Sequence, residues 1–87
     1  MTRYSQAPHS KFTEETCRAI VDGVRGGKRP EEAAEEAGVT WDAVRRWHRR
    51  GAYLDECGTT ADESPQVKFY LDLEAADQER LERLGDA

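Results

Sequence analysis

Arg45, Arg46, Arg49 and Arg50 place four guanidinium groups within six consecutive positions, with Asp42 the only acidic residue from 39 to 51. Such a cluster repels itself in a bare protein. Its planar, always-charged donors match phosphate and the guanine edge bidentately. Residues able to do covalent chemistry are scarce by comparison. His9 and His48 have no nucleophile or partner base at a useful spacing, and Cys17 and Cys57 form neither a zinc pattern nor a disulfide framework. No phosphate-cradling glycine loop is present. The expectation is a protein that binds through charge, without a cofactor, a metal or a catalytic residue.

The elements that must position these arginines follow from local signals. Thr13 is an N-cap ahead of Glu14 and Glu15, and Phe12 is placed to staple onto Cys17. Cys17, Ile20, Val21 and Val24 recur at i, i+3, i+4 and i+7, the stripe of a half-buried helix that Gly26-Gly27 stops. Pro30 opens a short second helix with Ala33, Ala34 and Ala37 inside, and Gly38 ends it. Thr40 caps a third helix seated by Val44 and Trp47 and expected to end at Gly51. Ala34, Gly38, Val44 and Trp47 thus have the layout of a helix-turn-helix: a small residue where helices cross, a glycine at the turn, and two large apolar seats. An alanine-rich helical hairpin of no special function has the same spacing. The outer face separates the two readings.

At about 100° per residue, Val44 and Trp47 point inward and Asp42, Arg45, Arg46 and Arg49 collect opposite them. Thr40 and Trp41 stand at the N-terminal end, the part of a recognition helix that enters the groove. Trp41 has a second reading, as a cover for the core edge. Lys28 and Arg29, with Arg25, lie at the junction of the first two helices, where phosphate contacts would set register; for Arg25 a helix C-terminus favouring cations is an equal explanation. Glu31, Glu32, Glu35 and Glu36 argue against DNA lying along the first half of the second helix and suit a solvated or partner-facing side. The candidate DNA-binding residues are Thr40, Trp41, Asp42, Arg45, Arg46, Arg49, Arg50, Lys28 and Arg29. His48 reads as a boundary residue.

Composition bounds the rest. The 87 residues carry a net charge of −5, but the two halves differ sharply. Residues 1–51 hold ten Lys/Arg against eight Asp/Glu, and residues 52–87 hold three against ten. That asymmetry suits two different partners. Leu, Ile, Val and Phe total only 13, too few for a deep, water-excluding catalytic pocket. No apolar run is long enough for a membrane span or a signal core, so the expected location is cytoplasmic, inside the host cell if the chain is viral. Residues 1–11 read as a flexible arm, 12–54 as the helix-turn-helix domain and 55–63 as an acidic linker. Ser64-Pro65 then starts a long helix over 64–87 for oligomerisation or partner contact. The fold class expected is all-α, three helices followed by one long C-terminal helix. Val67, Tyr70, Leu71 and Leu73 offer more apolar surface than the small helices before them cover. Some of this surface is expected to be buried between chains or against a partner, or else by the long helix folding back across the first.

Three stretches resemble one family. Lys-Phe-Thr-Glu-Glu at 11–15, Ala-Ala-Glu-Glu-Ala-Gly-Val-Thr at 33–40 and Val-Arg-Arg-Trp-His-Arg-Arg-Gly at 44–51 look like the small terminase subunits of tailed viruses. Lys-Phe-Tyr-Leu-Asp-Leu-Glu-Ala-Ala at 68–76 is similar to the aromatic-acidic helix that follows in that group. The resemblance covers about two thirds of the chain. It implies a non-enzymatic subunit that binds double-stranded viral DNA, forms a homo-oligomer and hands DNA to a large ATPase–nuclease subunit. The chain departs from many such subunits in having one helix, not a longer oligomerisation region, after the DNA-binding part. A small transcription regulator binding its operator as a dimer is the alternative. An adaptor whose arginines dock an acidic protein is a third.

Overall fold

The computed structural model describes residues 12–85; the arm proposed for residues 1–11 lies outside them. Four helices, α1 (Glu14–Arg25), α2 (Pro30–Glu36), α3 (Trp41–Glu56) and α4 (Pro65–Gly85), make an all-α fold. Their starts are chemically marked. Thr13 Oγ1 accepts from the Thr16 amide at 3.1 Å, and Thr40 Oγ1 accepts from the Ala43 amide at 3.1 Å. Ser64 Oγ accepts from the Val67 amide at 3.3 Å. Each hydroxyl thereby satisfies one of the amides that a first helical turn leaves without a partner. Pro30 holds the first turn of α2, where a missing N–H costs nothing.

The α2–α3 connection is four residues long, 37–40. Gly38 adopts φ +84°, which a side chain rarely tolerates, and the Val39 amide donates back to the Ala34 carbonyl at 3.1 Å. This tight reversal lets Ala33 and Ala34 on α2 and Val44 on α3 share one core.

The third helix runs past its expected end. Glycine lowers helix propensity by about 1 kcal/mol relative to alanine, which made Gly51 read as a stop. Instead Gly51 lies buried inside α3, where α4 crosses it. A Cβ there would sit 2.6 Å from Tyr70 Cβ and would collide with the Gln66 carbonyl oxygen. Gly51 is the point at which two helices touch backbone to backbone, and α3 continues to Glu56. Gly51→Ala is therefore expected to destabilise the fold by about 1–3 kcal/mol despite alanine's better propensity, because α4 must shift outward. Chemical denaturation reads the sign directly; a stabilised variant would contradict the close approach.

The long helix folds back onto its own chain. Val67, Phe69, Leu73 and Ala76 of α4 are buried, and α4 packs on both α1 and α3. Of the four apolar residues expected to seek cover, Val67 and Leu73 are buried within the chain, Tyr70 is half-buried and Leu71 is exposed. Phe69 forms an aromatic cluster with Trp47 (ring centroids 6.1 Å) and Phe12 (6.1 Å), and Phe12 lies 5.0 Å from Trp47. Edge-to-face aromatic packing of this kind adds to the burial of large apolar area. Phe12 thus closes the core between α3 and α4, a longer-range role than the local staple onto Cys17. The stretch read as linker shortens accordingly, since Asp55 and Glu56 belong to α3. The rest is held by Glu63, whose carboxylate accepts from the Thr60 amide at 2.9 Å. Leu81 and Leu84, at the far end of α4, remain exposed. No helix among the described residues is long and apolar enough to cross a membrane.

Candidate nucleic-acid interface

The outward face of α3 is built by its period. Ala43, Val44, Trp47 and Gly51 are buried, and Asp42, Arg45, Arg46, Arg49 and Arg50 are all exposed. Arg45 and Arg49, and Arg46 and Arg50, are like-charge neighbours one turn apart, an arrangement that costs a free helix a few tenths of a kcal/mol per pair. Only one of these charges is neutralised locally, by the Arg45–Asp42 ion pair. Arg46 and Arg49 form no ion pair among the described residues. Arg50 lays its guanidinium over the Tyr53 ring, 5.8 Å from the centroid.

The remaining candidates are distributed around this face. Thr40 is exposed at the N-terminal end of α3; its oxygen is occupied by the Ala43 amide, while its hydroxyl proton can be donated outward. Trp41 is half-buried and packs against the core, and it also lines a recess with Pro30, Arg45, His48 and Arg49. Trp41 thus covers the core edge while part of its ring stays accessible. Arg29 precedes α2 and is exposed, whereas Lys28 is held by Glu36 in an ion pair. Arg25 bonds Glu79 of α4 at 3.5 Å and approaches Asp22 at 4.0 Å, so it fastens α1 to α4.

The acidic half of the chain touches this region at its edge. His48 Nε2 and Glu74 Oε2 of α4 are 2.6 Å apart, and the His48 ring packs against Tyr70 with centroids 4.9 Å apart. Glu74 and Asp77 form the far wall of the recess that Trp41, Arg45, His48 and Arg49 line. The arginine face is thus flanked by carboxylates on its α4 side, near Arg45 and Arg49.

Sequence reasoning missed Tyr53. It lies seven residues after Arg46 and four after Arg49, on the same ridge, and it is 56% exposed. Only a helix that continues through Gly51 brings Tyr53 into phase with Arg46 and Arg49, and glycine's low helix propensity hides that continuation in the sequence.

A larger recess of about 660 Å³ runs between α1 and α4, lined in part by Phe12, Cys17, Val21 and Phe69. Burial pushes the Cys17 thiol up to about 11, so it stays protonated near neutral pH and is a poor nucleophile. Cys57 is exposed, and both cysteines are free. No group of three or more His, Cys, Asp or Glu side chains suited to a metal occurs among the described residues. Against protein-family models, curated proteins and solved structures, the chain gives no match.

Proposed function

We propose that this chain is a non-enzymatic double-stranded-DNA-binding protein whose recognition helix is α3. The observation that carries the reading is the exposed arginine face on the helix after a four-residue turn, with Arg46 and Arg49 in no ion pair among the described residues. Phosphates supply the missing charge, and base edges supply specificity at the Thr40 end. Lys28 and Arg29 sit where backbone contacts fix register. Val44 and Trp47 seat the inner side of α3 in the core, so its arginines share the outward side.

The resemblance to small terminase subunits supports a finer reading, in which the chain selects viral DNA for packaging and passes it to a large ATPase–nuclease subunit. Oligomers in that reading are built through Leu71, Leu81 and Leu84, the apolar residues α4 leaves exposed. The burial of the first turns of α4 within the chain favours the competing reading, a small operator-binding regulator, because little of the helix is left for ring formation. Solution mass with and without DNA separates them: packaging calls for an oligomer in the absence of DNA, regulation for a dimer on a two-fold site.

The DNA-binding reading itself is tested with a labelled mixed-sequence duplex titrated at low and at physiological salt. Binding is expected at low salt, and the logarithm of affinity is expected to fall by about 0.9 per phosphate contact for each logarithmic step in salt. Absence of binding at low salt would overturn it. An acidic protein partner would then be the remaining explanation of the arginines.

A further inference from the structure

Resting on the DNA-binding reading, we infer that Tyr53, braced by Arg50, is a phosphate-contacting residue that extends the DNA interface to the C-terminal end of α3. Three observations combine. The helix continues through Gly51 to Glu56, so Tyr53 shares a ridge with Asp42, Arg46 and Arg49. More than half of the Tyr53 surface is open, so its ring and hydroxyl are accessible to a partner. The Arg50 guanidinium lies over the ring, 5.8 Å from its centroid, so the aromatic face and a cation are presented together.

The geometry of B-form DNA supplies the role. From Asp42 to Tyr53 the ridge is about 16 Å long at 1.5 Å per residue, longer than the roughly 12 Å width of the major groove. With Thr40 and Asp42 seated at base edges, the last turn of α3 is carried past the groove to a sugar-phosphate strand. A phenol there donates its O–H to a phosphate oxygen, and Arg50 beside it supplies the positive charge that the same strand attracts. The flank matters as well. Glu74 and Asp77 border α3 on the side of Arg45 and Arg49, so the strand is expected to approach on the Arg46 and Arg50 side.

Tyr53→Phe, Tyr53→Ala and Arg46→Ala, each made in the full chain, test this with the same mixed-sequence duplex. Tyr53→Phe keeps the ring under Arg50 and removes only the donor; it is expected to weaken binding about fivefold with the salt slope unchanged, because a neutral donor displaces no counterion. Tyr53→Ala is expected to weaken it further, since Arg50 loses its brace. Arg46→Ala is expected to flatten the salt slope by about 0.9. Wild-type affinity in both tyrosine variants, with Arg46→Ala still flattening the slope, would overturn the role of Tyr53 and leave the DNA reading standing. Failure of the wild-type chain to bind at low salt would overturn both. Since Tyr53 is exposed, unchanged melting in both variants is expected, and it confirms that any loss is one of contact.

Discussion

Trp47→Ala is expected to remove cooperative thermal unfolding or to lower the transition by more than about 10 °C. Trp47 is only 7% exposed and is the large residue through which α3 meets Phe12 and Phe69. Removing a buried indole costs about 3–5 kcal/mol through lost transfer energy and the cavity left behind. A small domain has a total stability of only about 5 kcal/mol or somewhat more, and each kcal/mol moves the midpoint by about 4–8 °C at this size. Neighbouring side chains cannot collapse into the space easily, because Val44 and Phe69 are already fully buried and fixed by three helices. A scanning calorimetry trace matching the parent would mean that Trp47 does not seat α3, and the division of that helix into an inner and an outer face would fall with it.

The triple variant R45A/R46A/R49A is expected to show the opposite pattern, an intact fold with little DNA affinity. All three side chains are exposed on α3, and none contributes to the buried core. Removing like charges one turn apart relieves repulsion, so melting should stay level or rise slightly. A base-contacting arginine contributes about 1–3 kcal/mol, so the triple variant should bind at least about a hundredfold more weakly. Its salt slope should flatten by about 0.9 for each of the three that meets a phosphate. The contribution of Arg45 should be the smallest, because Asp42 already holds it and must be displaced first. Parental affinity in the triple variant, with helix content unchanged, would remove the arginine face from the interface.

Much of this architecture was legible because its causes are local. Thr13, Thr40 and Ser64 announce helix starts through hydroxyls that reach an amide three residues on. Ile20, Val21 and Val24 define an inner stripe by spacing alone, and all three are buried. Val44 and Trp47 likewise fix which way α3 faces. What was not legible depends on residues far apart in sequence. The role of Gly51 is set by Gln66 and Tyr70, which no local propensity contains. The position of Phe12 between Trp47 and Phe69 is equally a consequence of how α4 returns. For α4 itself, an apolar face says that something covers it but not whether the cover is the same chain. Here α4 packs on α1 and α3, and Phe69 and Leu73 join their core. The candidate interface follows the same division. Its arginines could be read from the period of one helix, whereas the carboxylates of Glu74 and Asp77 beside them, and Tyr53 at the end of the ridge, required knowing where α3 ends and α4 lies.

The central claim is that DNA lies on the outer face of α3, and amide chemical-shift mapping tests it residue by residue. Titrating the labelled chain with a short duplex at low salt should move the signals of Thr40 to Tyr53 most, with Lys28 and Arg29 following. The outward residues of α1 and α4, from Glu14 to Arg18 and from Gln78 to Glu82, should stay in place. Perturbations concentrated on α1 and the distal part of α4, or a spectrum unchanged by DNA at low salt, would contradict the assignment of α3 as the recognition helix.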